Sequence, residues 1–373
     1  MQTPDISALG TQVLWAAFIL SVIFGAIAQR THFCTMGAIS DVLNMSDWTR
    51  ARQWGMAIGV AMIGFGALAF AGVIDPTKTL YASSRWIWLS TAVGGLMFGF
   101  GMVLASGCGS KTLVRIGSGN LKSLVVFLVL GVAAFATLKG ITAVVRVNTV
   151  DRVAIDFATG TSLADWLGAA AGMRSVAAGL VLSLVIGGGL FIWALVGFLK
   201  ADHKVDNLLA GIGIGAVVAA MWWVSGKLGY VAEHPDTLQE AFLRTNSGRA
   251  EALSFVSPVA YTVDWLMFFS DKSKVLTMGI VSVFGVVIGS FIAAVAGKTF
   301  RWEGFGGTED VANHLAGGVL MGVGGVTAMG CTIGQGLSGI STLSANSFVA
   351  VAGIVLGAVA AFRYQMWRLD RMA

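Results

Sequence analysis

The sequence predicts an all-α integral membrane protein of about nine transmembrane helices, with short re-entrant helices between them and an inverted-topology repeat. Three observations predict it. Of 373 residues, 56% are hydrophobic and 12% charged, with a mean hydropathy of +0.80. Soluble domains carry roughly 25% charged residues, and a soluble chain this long could not cover its surface with half that share. Apolar runs of bilayer length recur along the whole chain. A glycine-rich stretch occurs twice, at positions that would cross the membrane in opposite directions.

About 20 apolar residues span the bilayer core, and nine segments meet or approach that length: 8–28, 53–74, 87–105, 121–145, 175–199, 207–226, 275–296, 313–329 and 347–363. The first run has no Lys or Arg before Arg30, so it lacks the charged start of a signal peptide and reads as a retained helix. Between the spans lie shorter apolar stretches at 30–46, 106–120, 162–171, 252–268 and 330–346, several of them rich in Gly, Ser and Thr. Irregular backbone at membrane depth must be buried in protein or line a wet cavity, so these stretches are where function is sought. Nine spans place the termini on opposite sides. The tail carries Arg363, Arg368 and Arg371, and an outside N-terminus gives 13 Lys and Arg inside against 10 outside. The positive-inside rule then favours a cytoplasmic C-terminus. Lys139, within the fourth segment, reads as a side chain snorkelling from near a helix end.

The repeat is the strongest organisational signal. Residues 94–108 read GGLMFGFGMVLASGC and 317–331 read GGVLMGVGGVTAMGC, identical at 8 of 15 positions without gaps. The copies lie five spans apart, and an odd offset inverts their direction. An inverted repeat is the usual basis of a transporter with its site at the repeat interface. The whole chain, 1–373, therefore reads as a single transmembrane transporter domain with repeats at roughly 8–145 and 175–363. The 50 glycines have no three-residue period, which excludes collagen and flexible linkers. Most of them suit close helix packing. Those flanking two cysteines, Gly107, Gly109 and Gly330, sit where a span ends and a broken stretch begins. There backbone N–H groups can turn toward an anion, aided by the positive end of a following half-helix.

Net charge is +5, but no block of five or six basic residues suggests nucleic acid. The three cysteines, Cys34, Cys108 and Cys331, match no zinc spacing, and His32 with Cys34 is a metal half-site without partners. Neither a metal nor another cofactor is expected. A lone cysteine in an apolar protein is usually a small hydrophobe. Here all three fall at broken Gly-rich turns. Lys111 and Arg115 follow Cys108 within two helical turns, and Arg30 precedes Cys34 by four residues; each fits an electrostatic funnel or ordinary interfacial charge equally well. Thr332 follows Cys331. Gln335, Ser338, Ser341 and Thr342 can donate to a substrate oxygen or satisfy backbone carbonyls. His203, His234 and His314 read as surface residues, and Glu303, Glu309 and Asp310 sit near an entrance. No P-loop, HExxH or supported Ser-His-Asp set is present, so no enzyme chemistry is indicated.

The stretches Arg30-x-x-Phe-Cys34-x-x-Gly37, Ala105-Ser-Gly-Cys-Gly-Ser110, Arg301-Trp-Glu-Gly-Phe305 and Gly330-Cys-Thr-Ile-Gly-Gln-Gly-Leu-Ser-Gly339 carry a resemblance. The chain resembles, over essentially its whole length, the YeeE/YedE family of bacterial sulfur-compound transporters, whose best-understood members take up thiosulfate. The resemblance implies that Cys34, Cys108 and Cys331 line the constrictions of an hourglass-shaped pathway and relay the substrate. It also implies a multi-pass protein of the bacterial inner membrane. The second half has no clear counterpart of Cys34.

The chemistry fits such a role. Thiosulfate is a dianion with a terminal sulfur, and dehydrating it in an apolar path is costly. A thiol offers a weak S–H donor and a polarizable sulfur, a grip weak enough to release. The expected relay is non-covalent, with neutral thiols, because a thiolate would repel the dianion. The expected partners are thiosulfate or a related sulfur anion and the lipid bilayer, with a cytoplasmic sulfur-accepting protein as a further candidate. The alternatives are a membrane sulfurtransferase with a reactive cysteine, or a transporter of another sulfur or selenium species such as sulfite or sulfide.

Overall fold

Long apolar runs without proline become long helices, and glycines set how closely those helices approach. The computed structural model describes residues 6–372. In chain order the helices are α1 (Ile6–Arg30), α2 (Thr35–Met45), α3 (Thr49–Phe70), α4 (Trp88–Leu104), α5 (Gly109–Gly117), α6 (Leu121–Lys139), α7 (Ile141–Asn148) and α8 (Leu163–Ala171). There follow α9 (Ser175–Leu182) and α10 (Gly188–Leu199), joined through a π turn, then α11 (Lys204–Leu208) and α12 (Ile214–Trp223), joined likewise. The last four are α13 (Val256–Met267), α14 (Met278–Ala296), α15 (Thr308–Thr327) and α16 (Ala345–Met372). The only strands among the described residues are two short antiparallel ribbons in the loops.

The protein is an all-α multi-pass membrane protein. Among the described residues, eight helical stretches are long and apolar enough to cross a membrane, one fewer than expected from sequence. The missing segment, 313–329, is part of α15. It has 20 residues, but Glu309, Asp310 and His314 fall in its first two turns and dilute its apolar character. Those carboxylates are tied down: Asp310 accepts from Lys122 at 2.7 Å and from the Gly306 N–H at 2.9 Å, and Glu309 pairs with Arg368 at 2.8 Å. His314, expected at the surface, is 5% exposed, because its ring reaches back to the Asp310 carbonyl at 2.7 Å and packs on Phe305. The run 121–145 is also divided, since α6 stops at Gly140 and α7 begins anew. Lys139 is exposed at the last position of α6. The stretches expected to be short and broken hold α2, α5, α8, α13 and a helical segment over 332–341.

α15 packs along α4 and α6, and α4 packs along α16. A Cβ on Gly101 would lie 2.8 Å from the Gly317 carbonyl oxygen, and one on Gly317 2.6 Å from that of Gly101. Gly94 and Gly324 meet reciprocally, each 2.7 Å from the other's oxygen. Two backbones touch here with no room for a side chain. On their outer faces, Gly95 and Gly99 meet α16 at Ala350 and Ile354, while Gly318 and Gly322 meet α6 at Val129 and Leu130. α1 runs beside α14, with Gly25 against Val286 and Gly285 against Ser21. Large apolar side chains at the periphery, among them Ile19 and Ile23 of α1, Leu128 and Val132 of α6, and Ile192 and Val196 of α10, remain exposed. Such a belt requires lipid.

Candidate functional site

All three cysteines arise from the same local event, a helix that ends and a shorter one that starts. At the end of α4, the Ser106 N–H bonds the Val103 carbonyl at 3.2 Å and the Gly107 N–H reaches back to Met102 at 2.8 Å. At the end of α15, Met329 bonds Val326 at 3.0 Å and Gly330 reaches back to Gly325 at 2.8 Å. These are matching Schellman-type ends, and each needs a residue with positive φ. Ser106 (φ 57°) and Met329 (φ 60°) supply it, as does His32 (φ 53°) just past α1. None is glycine, so each left-handed turn is held against its own steric cost by the surrounding packing. Every cysteine follows its left-handed residue by two positions. The backbone at Cys34 (φ −159°, ψ 125°) and Cys108 (φ −77°, ψ 175°) is then extended, as a helix N-cap requires.

Each thiol therefore sits at the start of a helix. Cys34 Sγ accepts from the Gly37 N–H at 3.4 Å, and Cys331 Sγ accepts from the Gly334 N–H at 3.4 Å. Cys108 Sγ instead lies 3.2 Å from Ser110 Oγ. The residues are 7%, 1% and 0% exposed for Cys34, Cys108 and Cys331. Cys108 is within electrostatic reach of both other cysteines. Lys111, half-buried one turn into α5, senses Cys34 and Cys108, and among the described residues no carboxylate pairs with it. Three helix starts and one unpaired cation together form a region of positive potential, suited to an anion and hostile to a cation.

The remaining sequence-derived candidates divide. Gly109 is buried, and a Cβ there would sit in ordinary contact with Phe255, 3.8 Å away, so this position has room that Gly107 and Gly330 lack. Gly107 lies against the Lys111 stem at 3.2 Å and Gly330 against Gln335 at 3.1 Å, so both are packing positions as well. Thr332 is 2% exposed and its Oγ1 has no hydrogen-bond partner. Gln335 is engaged at both ends: its amide nitrogen donates to the Ala328 carbonyl at 2.7 Å and its oxygen accepts from Ser347 at 2.6 Å. It braces the break. Arg30 is exposed, pairs with Asp206 at 3.0 Å and lines a cavity beside His32. Ser338, Ser341 and Thr342 donate to the carbonyls of Leu253, Ser338 and Gly339, which resolves their two readings in favour of the backbone.

Sequence reasoning missed three residues. Thr35, directly after Cys34, has a shielded Oγ1 without a partner, like Thr332. The doublet Cys-Thr at 34–35 and 331–332 was the available signal. Tyr81 donates its hydroxyl to the Gly334 carbonyl, pinning the segment after Cys331. Phe255 holds the N-cap position of α13, packs on Phe24 at 5.6 Å and faces Gly109.

Two cavities reach the helix breaks that carry Cys331 and Cys34. One, of about 690 Å³, is walled by hydroxyl-bearing residues such as Thr79, Ser83 and Thr161, with Arg249 as a cation, and reaches Tyr81 and Met329. The other, of about 580 Å³, is lined by Arg30 and His32 at the end of α1 and by Leu209 and Thr299. Each cavity thus meets the left-handed residue that precedes a cysteine.

With this geometry in place, comparison with known proteins is informative. The family described as Sulphur transport is matched over residues 30–360. The Thiosulfate transporter TsuA of Escherichia coli (strain K12) is 28% identical over 355 residues, covering 92% of this chain and 92% of the relative. The Thiosulfate transporter TsuA of Spirochaeta thermophila (strain ATCC 700085 / DSM 6578 / Z-1203) is 26% identical over 352 residues, covering 92% of this chain and 97% of the relative. A 113-residue stretch is 27% identical to the "Probable transporter YedE" of Escherichia coli (strain K12), covering 30% of this chain and 26% of that one.

Proposed function

The chain belongs to the Sulphur transport family, and from that premise we propose that it carries thiosulfate inward across a bacterial inner membrane, passing it non-covalently along Cys331, Cys108 and Cys34. One observation supports the reading: three buried thiols, each at the start of a helix, with one cavity reaching Met329, two residues before Cys331, and another reaching His32, two residues before Cys34. Two relatives matched over nearly their full length bear the name thiosulfate transporter, which supports the choice of substrate.

The physics supports it as well. A dianion leaving water needs compensating donors at every stage. Helix starts offer backbone N–H groups without fixed positive side chains, and Lys111 adds one charge at the middle thiol. Neutral thiols then touch the terminal sulfur through a weak donor and a polarizable surface. Weak, serial sites favour conduction over trapping.

We read the chain as an inverted repeat in which α4 corresponds to α15 and α6 to α16. The exchange of contacts supports this: Gly94 on Gly324 becomes Gly317 on Gly101, and Gly95 on α16 becomes Gly318 on α6. On this reading Phe255, capping α13, takes the place of Cys34 in the second half. The N-terminus faces outward and the tail with Arg363, Arg368 and Arg371 faces the cytoplasm, following the positive-inside rule. A cytoplasmic protein that accepts sulfur would complete the route.

The test is uptake of radiolabelled thiosulfate into proteoliposomes containing the purified full chain. Uptake by wild type, with loss in cysteine-to-alanine variants that insert normally, supports the relay. Transport of sulfite or sulfide in place of thiosulfate overturns the substrate. A persulfide or mixed disulfide trapped on any of the three cysteines during turnover overturns the non-covalent mechanism and favours sulfur transfer.

A further inference from the structure

Several buried threonines within or just past helices share a habit. Thr31, Thr112, Thr137, Thr262 and Thr327 each donate their hydroxyl to the carbonyl four residues earlier, at 2.7–3.0 Å. Thr332, buried, and Thr35, half-buried, do not. Each is the first helical residue after a cysteine, so no preceding turn offers a carbonyl, and each Oγ1 is shielded from solvent with no partner. Among the described residues the one other buried hydroxyl in that state is Ser344, on the wall of the larger cavity. An unsatisfied hydroxyl at Thr332, 2% exposed, is costly unless something else accepts its hydrogen bond. The vacant donor stands beside a thiol at a helix start, and the pattern occurs twice.

Building on the thiosulfate reading, we propose that the Thr332 and Thr35 hydroxyls are specificity-determining ligands. Each donates a hydrogen bond to an oxygen of the substrate while the neighbouring thiol, Cys331 or Cys34, contacts its terminal sulfur. Thiosulfate has the matching polarity, one sulfur end and one end bearing three oxygens. Consecutive residues at one helix start, one soft and one hard, read both ends together. The pair therefore selects sulfur oxyanions over oxygen-free sulfur anions such as hydrosulfide. At the middle station Gly109 stands where the threonine would be, and Ser110 and Lys111 supply the polar contact.

The inference is tested with the full chain in proteoliposomes, comparing wild type with Thr332→Val, Thr35→Val, Thr332→Ser and Thr35→Ser. Valine preserves shape and removes the donor; serine preserves the donor and removes the methyl group. The valine variants are expected to raise KM for thiosulfate by about tenfold or more, as for a lost hydrogen bond to a charged group. Their maximal rate changes less, and the serine variants remain near wild type. Inhibition by sulfite weakens in the valine variants, whereas inhibition by hydrosulfide does not. A KM within about twofold of wild type, below the effect of even a modest hydrogen bond, overturns the inference. So does equal impairment by valine and serine, which marks a packing role. If a valine variant does not insert, Thr→Ala at that position is judged by the same criteria. Wild type that fails to take up thiosulfate sinks the parent reading and this one together; wild type that transports while valine has no effect sinks only this one.

Discussion

The breaks at Cys108 and Cys331 share a backbone and differ in everything attached to it. Both follow a Schellman-type end with a left-handed residue and then Gly-Cys. After Cys108 come Gly109, Ser110 and Lys111, on an α-helix that carries a cation. After Cys331 come Thr332, Ile333 and Gly334, leading into a π-helical segment braced by Gln335, Tyr81 and Ser338, with no cation. The shared part sets where a thiol stands. The differing part sets what stands beside it: a charge after Cys108, a hydroxyl after Cys331. Bond geometry is thus common to the two halves, while electrostatics is assigned separately to each.

The comparison can be broken by substitution, beginning with the thiols. Cys331→Ala and Cys108→Ala should each reduce thiosulfate uptake on the order of a hundredfold, the upper range for a lost contact to a charged group. Quantitative immunoblotting of the membranes checks that insertion is normal. Equal, mild defects would reduce both breaks to packing. Lys111→Met should come next, raising KM by about tenfold, because a half-buried charge after Cys108 is lost. Lys111→Arg should restore most of the affinity, and raised ionic strength should affect the wild type little, since a sheltered charge is poorly screened. A Lys111→Met protein with wild-type KM would remove the contrast between the two breaks.

A smaller effect is expected where the halves meet. Gly324→Leu places a side chain against the Gly94 carbonyl and the Phe98 backbone. Overpacking of this kind destabilises by about 1–3 kcal/mol. Thermal unfolding in detergent should show a lowered midpoint, and the same substitution at Gly188, whose Cβ would meet nothing within 4 Å, should not. The smallest effect concerns Glu303 in the loop before α15. The hydrogen bond from Asn120, at 2.5 Å, holds its carboxyl below the usual carboxylate range, with help from Arg301 and against partial burial. A depressed pKa stabilises above the unfolded value and is lost as pH falls through the folded one. Glu303→Gln should therefore lower the unfolding midpoint slightly at neutral pH, by less than about 1 kcal/mol for a partly exposed pair. The difference from wild type should vanish in acid; one that persists there would assign the effect to shape instead.

Much of the fold was legible because span length is a one-dimensional property. Segments such as 175–199 and 275–296 needed only apolar residues in sufficient number. α15 was legible as a helix, but its polar first turns, stabilised by Lys122 and Arg368 from distant sequence, kept it outside the apolar set. The helix breaks at Cys108 and Cys331 were legible through their repeated Gly-Cys ends, whereas the break at Cys34 follows Phe33 and has no such repeat. The pairing of Arg30 was not legible, because its partner, Asp206, lies 176 positions away and no local pattern reveals it. Gln335 looked like a ligand among glycines, yet the carbonyl it satisfies belongs to the break itself. Thr35 was visible only as a letter after Cys34. That its hydroxyl lacks a carbonyl follows from the turn at His32, which the letters do not specify.

The left-handed turns have one more consequence, for chemical durability. Cys34 and Cys331 are each bonded to the first turn of their own helix, and all three residues are nearly closed to solvent. Oxidation of a thiol to sulfenic acid or a mixed disulfide needs ionisation and access for the oxidant. Here the protein chain closes off the approach, and all three cysteines are free. The same helix starts that bury these sulfurs shelter them from large oxidants, so the protein keeps three reduced thiols by packing alone.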